Sequence, residues 1–427
     1  MSEFINLIKE SKSFQNIYDI SWKLHLGEKI QKIHYDKLKI GLMNIPCGGY
    51  GDVIKCIKIY NYFNKWYPNS TIKICSTSKV KFRNLGIKEQ IIEFKHDTDD
   101  GECIKYEHLR LDYKTKFDLI LVVPIINEPF NLNKFKKLIP YANRWNTFSM
   151  SEYNDIDNKP FDFPIGIGKN NIGLFFDSVK YKKQILIKNP YSLVYIADNN
   201  SGHFIHSKYC FLSYLEMICK IYSKIHKIFE IVIPNWIGEE YIYNNPFKNK
   251  SLKIMSKYFS TSILKIKEKE DIILFNQNNH SKLIIRSDIL PQPREIFIGL
   301  IKDSVNDILL TGDESLVDTL NCCPDKTIWY QIAPWKENLA KNLVLETGNK
   351  NYSTFKTSCG ILKGLNFKNN VDSLIKNNDF RIKGKERFDS LLIFMYHKRH
   401  NKEYKKIINI IDGSRFLDTL KRKIKNI

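Results

Sequence analysis

The chain has 427 residues, of which 43% are hydrophobic and 26% are charged. This balance is typical of a globular protein, and the length favours two domains over a single core. Because no apolar run is long enough to span a bilayer and residues 1–10 lack a signal-peptide pattern, we expect a cytoplasmic protein without a transmembrane segment.

The cysteine and histidine patterns argue against a disulfide-stabilised protein and against a zinc protein. The nine cysteines include no C-x-x-C pair, and the ten histidines form no H-E-x-x-H or comparable set. We therefore expect free thiols in a reducing compartment rather than a disulfide framework or a zinc site. The sequence predicts no metal and no bound cofactor.

The formal net charge of +21 favours an anionic partner. Clustered Lys and Arg residues neutralise nucleic-acid phosphates, but here they are scattered and accompanied by abundant Asn and Ile, a composition that an AT-rich genome also produces. A nucleic acid is therefore an alternative partner, not the favoured one. A nucleotide-sugar would be attracted by the same positive field.

The first part of the chain alternates strands with helices. Residues 38–44 are typical of a strand, and residues 52–63 show helical spacing. Between them lies a glycine-rich loop that contains Gly48, Gly49 and Gly51. A further helix is predicted at 79–85, and further strands are predicted at 70–75, 90–94 and 116–123. This alternation predicts a parallel sheet with right-handed crossovers.

A second α/β run follows a segment at 148–176 that is rich in Gly, Pro, Asn and aromatic residues. We place the domain boundary near residue 185, which gives domains over 1–185 and 186–382. The second domain has predicted strands at 191–197, 229–234 and 282–286 and helices at 210–226 and 294–303. A basic helical tail at 383–427 is predicted to pack back on the domains, and binding to a membrane surface is the alternative.

The most informative turn follows a predicted strand at 307–310. Gly312, Asp313 and Glu314 lie in this turn, and a helix is predicted to begin at Ser315. A strand that passes through a glycine turn into a helix presents backbone N–H groups at the carboxyl edge of a sheet, where a diphosphate binds. The next strand is predicted at 327–331 and completes a βαβ unit.

The pairing of Gly48-Gly-Tyr-Gly-Asp52 with Thr311-Gly-Asp-Glu-Ser-Leu316 resembles GT-B glycosyltransferases, in particular heptosyltransferase-like enzymes and protein-arginine rhamnosyltransferases. The resemblance is confined to these two turns and the α/β rhythm around them. It implies two Rossmann-like domains that face a central cleft, with the acceptor on the first domain and a nucleotide-sugar donor on the second. In this chain the late turn has the order Asp-Glu, where the rhamnosyltransferases have Glu-Asp.

The resemblance also implies roles for individual residues. Asp52 corresponds to the general base of an inverting, metal-independent transfer to a glycan, protein or small acceptor. The donor would be held by residues around the late turn and the next strand: Gly312, Asp313, Glu314, Ser315, Tyr330 and Gln331. Arg286 or Lys336 would add positive charge, and the amides of residues 314–316 would hold the departing diphosphate.

Other interpretations stay open on the sequence alone. Asp52 would serve equally well as a helix N-cap, and Glu314 with Ser315 would suit a helix start without a ligand. Arg286 suits a salt bridge, and Tyr330 and Gln331 suit packing. At the level of function, the alternatives are a DNA-base glucosyltransferase and a non-catalytic GT-B-like module that binds nucleotides or nucleic acid.

Overall fold

The structure is a computed structural model, and it describes residues 37–400 with short gaps. The gaps are residues 47–49, 88–90, 97–107, 113, 115, 124–130, 144–145, 155–162, 180, 199–203, 245–247 and 278–280. The described chain forms two compact units, Phe176–Asn377 and a unit that combines the residues before Phe176 with those from Asn378 onward. The division thus falls at Phe175/Phe176, where the sequence placed it near residue 185.

The first unit is a five-stranded sheet with helices and a separate small ribbon. Its strands are β1 (Lys39–Asn44), β2 (Thr71–Ser76), β3 (Ile92–Glu93), β4 (Lys95–His96), β5 (Leu109–Arg110), β6 (Leu119–Val122) and β7 (Thr147–Ser149). Its first three helices are α1 (Gly51–Trp66), α2 (Lys79–Asn84) and α3 (Leu132–Leu138). The sheet has the order β3-β2-β1-β6-β7 and is parallel throughout, while β4 and β5 pair antiparallel.

The second unit is built on a larger sheet. Its strands are β8 (Tyr191–Tyr195), β9 (Ile228–Val232), β10 (Thr261–Lys265), β11 (Ile272–Asn276), β12 (Lys282–Arg286), β13 (Asp307–Leu310), β14 (Thr327–Gln331) and β15 (Ile361–Asn366). The order is β11-β10-β12-β9-β8-β13-β14-β15, with β11 and β15 as antiparallel edges on a parallel centre.

The helices of the second unit connect these strands. They are α4 (Ser207–Tyr222), α5 (Asn235–Ile237), which continues into a π-helix at Gly238–Tyr243, α6 (Lys248–Ser256), α7 (Arg294–Asp303), α8 (Asp313–Cys322), the 3-10 helix Pro334–Lys336, α9 (Glu337–Glu346), α10 (Tyr352–Phe355) and α11 (Val371–Asn378). The last helix, α12 (Phe380–His400), is counted with the first unit. No described helix is both long and apolar enough to cross a bilayer.

Burial on both faces explains why the central strands are continuous apolar runs. The four residues of β6 are all buried, and so are all of β1 after Lys39. Strands that are covered on both faces are characteristic of parallel sheets flanked by helices. The predicted α/β class, with two units that each contain a mainly parallel sheet and helices, is therefore confirmed.

Two expectations about elements need correction. The helix after β13 begins at Asp313, not at Ser315, so Asp313 and Glu314 lie in its first turn. Strands β10, β11 and β15 were not predicted: β10 and β15 mix apolar residues with polar residues or glycine, and β11 is a short apolar run on an exposed antiparallel edge.

Helix α12 packs on the first unit through aromatic side chains. The ring of Phe388 lies 4.7 Å from that of Phe63, and the ring of Phe380 lies 4.5 Å from that of Phe175. The Tyr67 hydroxyl donates to Asp389 Oδ1 over 3.0 Å. The described part of the predicted tail is thus part of the first unit's core, and residues 401–427 lie outside the described chain.

We predict that Phe388→Ala lowers the free energy of unfolding of the first unit by about 3–5 kcal/mol, because it leaves a cavity in a fully buried aromatic cluster. Ile382→Ala on the same helix is the matched control, since Ile382 is 53% exposed and its loss should change stability by less than about 0.5 kcal/mol. Urea unfolding of both variants measures the difference. Equal effects would show that α12 is not anchored by Phe388.

Candidate functional site

The turn between β13 and α8 depends on a glycine conformation. Gly312 has φ +82° and ψ 150°, a combination that side chains with a Cβ rarely adopt. It is the residue before the helix and makes no side-chain cap hydrogen bond to the first turn of α8. The amide of Leu316 donates to Gly312 O over 3.3 Å. The amides that open the helix are therefore those of Asp313, Glu314 and Ser315, one residue earlier than the sequence suggested.

An ion pair fixes the start of α8 to the next loop. Lys336 Nζ lies 2.8 Å from Asp313 Oδ2, and the two side chains are only 4% and 8% exposed. Lys336 belongs to the 3-10 helix that follows β14, so the pair joins the carboxyl ends of two neighbouring strands. The charge of Asp313 at the helix N-terminus is balanced within the protein.

Ser315 is held by backbone oxygens on its own turn. Its hydroxyl donates to the carbonyl oxygens of Thr311 and Gly312, the second over 3.3 Å. Glu314 and Ser315 are 8% and 9% exposed, so both are largely buried at the start of the helix. With the hydroxyl proton directed at the backbone, the Ser315 oxygen keeps lone-pair capacity to accept a hydrogen bond.

Gln331 organises the same edge from the end of β14. Its Oε1 accepts from the amide of Ala197 over 2.9 Å, and its Nε2 donates to Ser207 Oγ over 3.0 Å and to Ala197 O over 3.3 Å. Thr311 Oγ1 donates to Gln331 O over 3.3 Å. Gln331 thereby joins the end of β8, the start of α4 and the turn after β13. Ala197 and Ser207 were not singled out by the sequence, which gives no sign of this long-range pairing.

Two of the predicted donor residues, Tyr330 and Arg286, are not exposed at the turn. Tyr330 is buried within the sheet, and Arg286 ends a more distant strand. The side chain of Tyr330 is packed in the sheet and is 1% exposed. Arg286 Nε and Nη2 each donate to Asp288 over 2.8 Å, and Nη1 donates to Glu230 over 3.0 Å. The bond to Asp288 is the main cause that raises the pKa of Arg286.

The strand order explains the position of Arg286. Strands β9 and β8 lie between β12, which ends at Arg286, and β13. At the usual spacing this separates the two strand ends by about 14 Å. The structure therefore does not bring Arg286 to the turn, whereas it brings together Gly312, Asp313, Glu314, Ser315, Gln331 and Lys336.

Asp52 lies at the corresponding edge of the first unit. It is the second residue of α1, and the residue before the helix is Tyr50, so Asp52 is not the N-cap. Its side chain is 11% exposed, and Oδ1 lies 3.9 Å from Nζ of Lys55 one turn later. Gly51 is the first residue of α1, while Gly48 and Gly49 lie outside the described residues.

Asn44, at the end of β1, holds this edge together and was not predicted. Its Nδ2 donates to Asp52 O over 3.2 Å and to Val123 O over 2.9 Å, and its Oδ1 accepts from Ser76 Oγ over 3.3 Å. The start of α1 is thus bound to the ends of three neighbouring strands. An isolated polar residue at the end of an apolar strand is the signal that could have identified it.

The chemistry available at these two edges is that of carboxylates, hydroxyls and helix amides. In the described part of the chain, no group of three or more His, Cys, Asp or Glu side chains is arranged to hold a metal ion. A carboxylate can accept a proton from an acceptor hydroxyl, and helix amides can hold an anionic leaving group. The two sets of groups are contributed by different units.

Neither a family model nor a curated protein matches this sequence. Among solved structures, a UDP-GlcNAc 2-epimerase from Methanocaldococcus jannaschii is 12% identical, with 79% of this chain and 99% of that chain covered and a TM-score of 0.39. A heptosyltransferase from E. coli with ADP is 9% identical over 74% of this chain and 100% of its own, with a TM-score of 0.31. An alpha-glucosyltransferase in complex with UDP and a 13-mer DNA is 9% identical over 88% and 100%, with a TM-score of 0.34.

We predict that Gly312→Ala destabilises the second unit by about 1–3 kcal/mol through backbone strain alone, since an added Cβ would meet only Ser315 Oγ, at 3.6 Å. Gly51→Ala is the matched control: that glycine is helical, and a Cβ there would meet nothing within 4 Å. It should be neutral or stabilising by up to about 1 kcal/mol. Thermal unfolding distinguishes the two, and a neutral Gly312→Ala variant would contradict the strained turn.

Proposed function

We propose that this protein is an inverting, metal-independent glycosyltransferase that uses a nucleotide-diphosphate sugar. The observation that carries the proposal is the glycine turn into α8, where the first helical amides, Ser315 and the buried Asp313–Lys336 pair are grouped at the carboxyl edge of a parallel sheet. Ligands of open α/β sheets bind at this edge, and a helix N-terminus favours the charge of a diphosphate.

The donor is proposed to lie over the start of α8. The amides of the first turn would receive the diphosphate, and the Ser315 hydroxyl would turn from the carbonyl oxygens of Thr311 and Gly312 to donate to a diphosphate oxygen. Glu314 would bind a ribose hydroxyl, since its acceptor oxygens suit that group. Gln331 supports this surface through its bonds to Ala197 and Ser207, so we assign it a positioning role rather than contact with the nucleotide.

Asp52 is proposed as the general base. An acceptor hydroxyl attacks the anomeric carbon, its proton passes to the Asp52 carboxylate, and the bond from that carbon to the diphosphate oxygen breaks. The helix amides stabilise the negative charge that develops on the leaving group. The acceptor is proposed to be a glycan, a protein or a small molecule.

Loss of Glu314 or crowding at Ser315 should weaken donor binding. We expect Glu314→Ala and Ser315→Leu each to raise the Kd of the preferred nucleoside diphosphate by about 10- to 100-fold, which corresponds to about 1–3 kcal/mol. Isothermal titration calorimetry with UDP, GDP, ADP and dTDP identifies the ligand and measures the loss. Glu295→Ala, which removes an acidic residue from the first turn of α7, serves as control and should bind normally. Unchanged affinity in both variants would place the nucleotide elsewhere.

Asp52→Asn should separate catalysis from donor binding. The amide keeps the size of the side chain but cannot take the proton, so kcat should fall by roughly 100-fold or more while the donor Kd stays within about twofold. Release of nucleoside diphosphate from the matching sugar donor measures turnover. The control is Asp112→Asn, which alters a side chain that is 69% exposed in the same unit. Wild-type turnover by Asp52→Asn would refute the assigned base, and tight donor binding without any turnover in the unmodified protein would favour a non-catalytic binding module.

A further inference from the structure

Two cysteines from distant parts of the second unit meet beside the Gln331 network. Cys210 lies in the first turns of α4 and is 1% exposed, whereas Cys359 is half-buried in the loop before β15. The Cys210 thiol donates to the backbone oxygen of Cys359 over 2.8 Å. Thr357 Oγ1 lies 3.0 Å from Cys359 Sγ on the other side.

This environment stabilises a negative charge on Cys359. The hydrogen bond with Cys210 is the largest cause, and with Thr357 and the positive field of His206 it lowers the pKa of Cys359 to about 6. The same bond, together with burial, raises the pKa of Cys210. The other described cysteines, Cys56, Cys75, Cys219, Cys322 and Cys323, all have a raised pKa. Thiolate character and partial exposure are the two conditions for thiol reactivity, and Cys359 has both.

We propose that Cys359 is a peroxide-reactive thiol and that Cys210 is its resolving partner, so that oxidation by a hydroperoxide closes a Cys210–Cys359 disulfide. The proposal rests on the hydrogen bond that holds the Cys210 sulfur at the backbone of Cys359, the hydroxyl of Thr357 beside the Cys359 sulfur and the partial exposure of Cys359. It does not depend on the proposed glycosyl transfer.

The chemistry proceeds in two balanced steps. The Cys359 thiolate attacks one oxygen of hydrogen peroxide, the O–O bond breaks, and a sulfenic acid and hydroxide are formed. The Cys210 sulfur then attacks the sulfenic sulfur, a disulfide bond forms, and the Cys210 proton leaves with the hydroxyl group as water. Two electrons pass from the thiols to the peroxide. The Cys210 sulfur already lies at the Cys359 backbone, 2.8 Å from its carbonyl oxygen, so the second step joins neighbouring side chains.

The disulfide would add a covalent link at the carboxyl edge of the second sheet. On one side, Ser207, at the start of α4, accepts a hydrogen bond from Gln331. On the other, Gly360, next to Cys359, accepts from the amide of Ile332 over 2.9 Å. Oxidation would therefore add a covalent link between the start of α4 and the loop beyond β14, which hydrogen bonds and apolar packing hold together in the reduced protein.

The test uses the full chain in its reduced form. At pH 7, iodoacetamide should modify Cys359 roughly tenfold faster than Cys322, a half-buried cysteine whose pKa is raised, because the reactive species is the thiolate. Stoichiometric hydrogen peroxide should then produce a Cys210–Cys359 disulfide, identified by mass spectrometry of peptides prepared without reduction. Cys322→Ser is the matched control and should form the same disulfide.

Variants of the pair identify each role. Cys210→Ser should stop at the sulfenic acid of Cys359, which dimedone traps, and Cys359→Ser should leave Cys210 unmodified by peroxide. Circular dichroism checks that both variants are folded, and the experiment on the unmodified protein decides the matter if either is not. The proposal is overturned if Cys359 is alkylated no faster than Cys322, or if peroxide leaves Cys210 and Cys359 unlinked in the unmodified protein.

Discussion

The carboxamide of Gln331 holds together the edge of the second sheet on which the candidate donor site depends. Gln331 is 2% exposed. Its carboxamide accepts from the backbone N–H of Ala197 and donates to the backbone oxygen of Ala197 and to the Ser207 hydroxyl. Each such bond contributes about 0.5–1.5 kcal/mol, and leaving the buried partners unsatisfied costs about 1–3 kcal/mol more per group. The end of β8, the start of α4 and the turn after β13 are therefore fixed as one arrangement. The two cysteines lie close to this arrangement along the chain: Cys210 is three residues after Ser207 in α4, and Cys359 precedes Gly360, whose carbonyl accepts from Ile332.

Buried charges then fix helix α8 relative to this edge. Asp313 at its start pairs with Lys336, and Asp318 one turn further on pairs with Arg294 of α7, which also binds Asp177 through two bonds of 2.8 and 2.9 Å. Buried ion pairs add little net stability, because removing both charges from water offsets most of their attraction. Their effect here is geometric: the helix has partners at its N-terminus and along its side, so its first amides point in a fixed direction.

In the first unit, uncharged groups fix the start of helix α1 relative to the sheet. Asn44 at the end of β1 bonds to the backbone of Asp52 and Val123 and to Ser76, so the start of α1 is held by an amide side chain. The backbone of Asp52 is consequently fixed, while its carboxylate lies 3.9 Å from the ammonium group of Lys55 one turn later. A base on a rigid helix start keeps its position relative to a substrate, which is what proton transfer in a transition state requires.

Local patterns in the sequence were sufficient for the central elements of both sheets. Apolar runs identified β1, β6, β8 and β13, since these strands are largely covered on both faces and contain few polar residues, namely Lys39, Asn44, Ser192 and Asp307. Glycine followed by acidic residues identified the turn into α8. Each of these signals is contained in a few consecutive residues, so it can be recognised in the sequence before the fold is known.

Tertiary structure alone decided which of the predicted site residues meet. Arg286 is the end of an apolar strand by sequence, but the strand order puts it beside Glu230, with two strands between its own strand and the one that leads into the turn. Cys210 and Cys359 are 149 positions apart, and Gln331 and Ala197 are 134 apart. Contacts of this kind follow from the order of strands in a sheet, which is set by the packing of the whole unit and leaves no trace in the spacing of neighbouring residues.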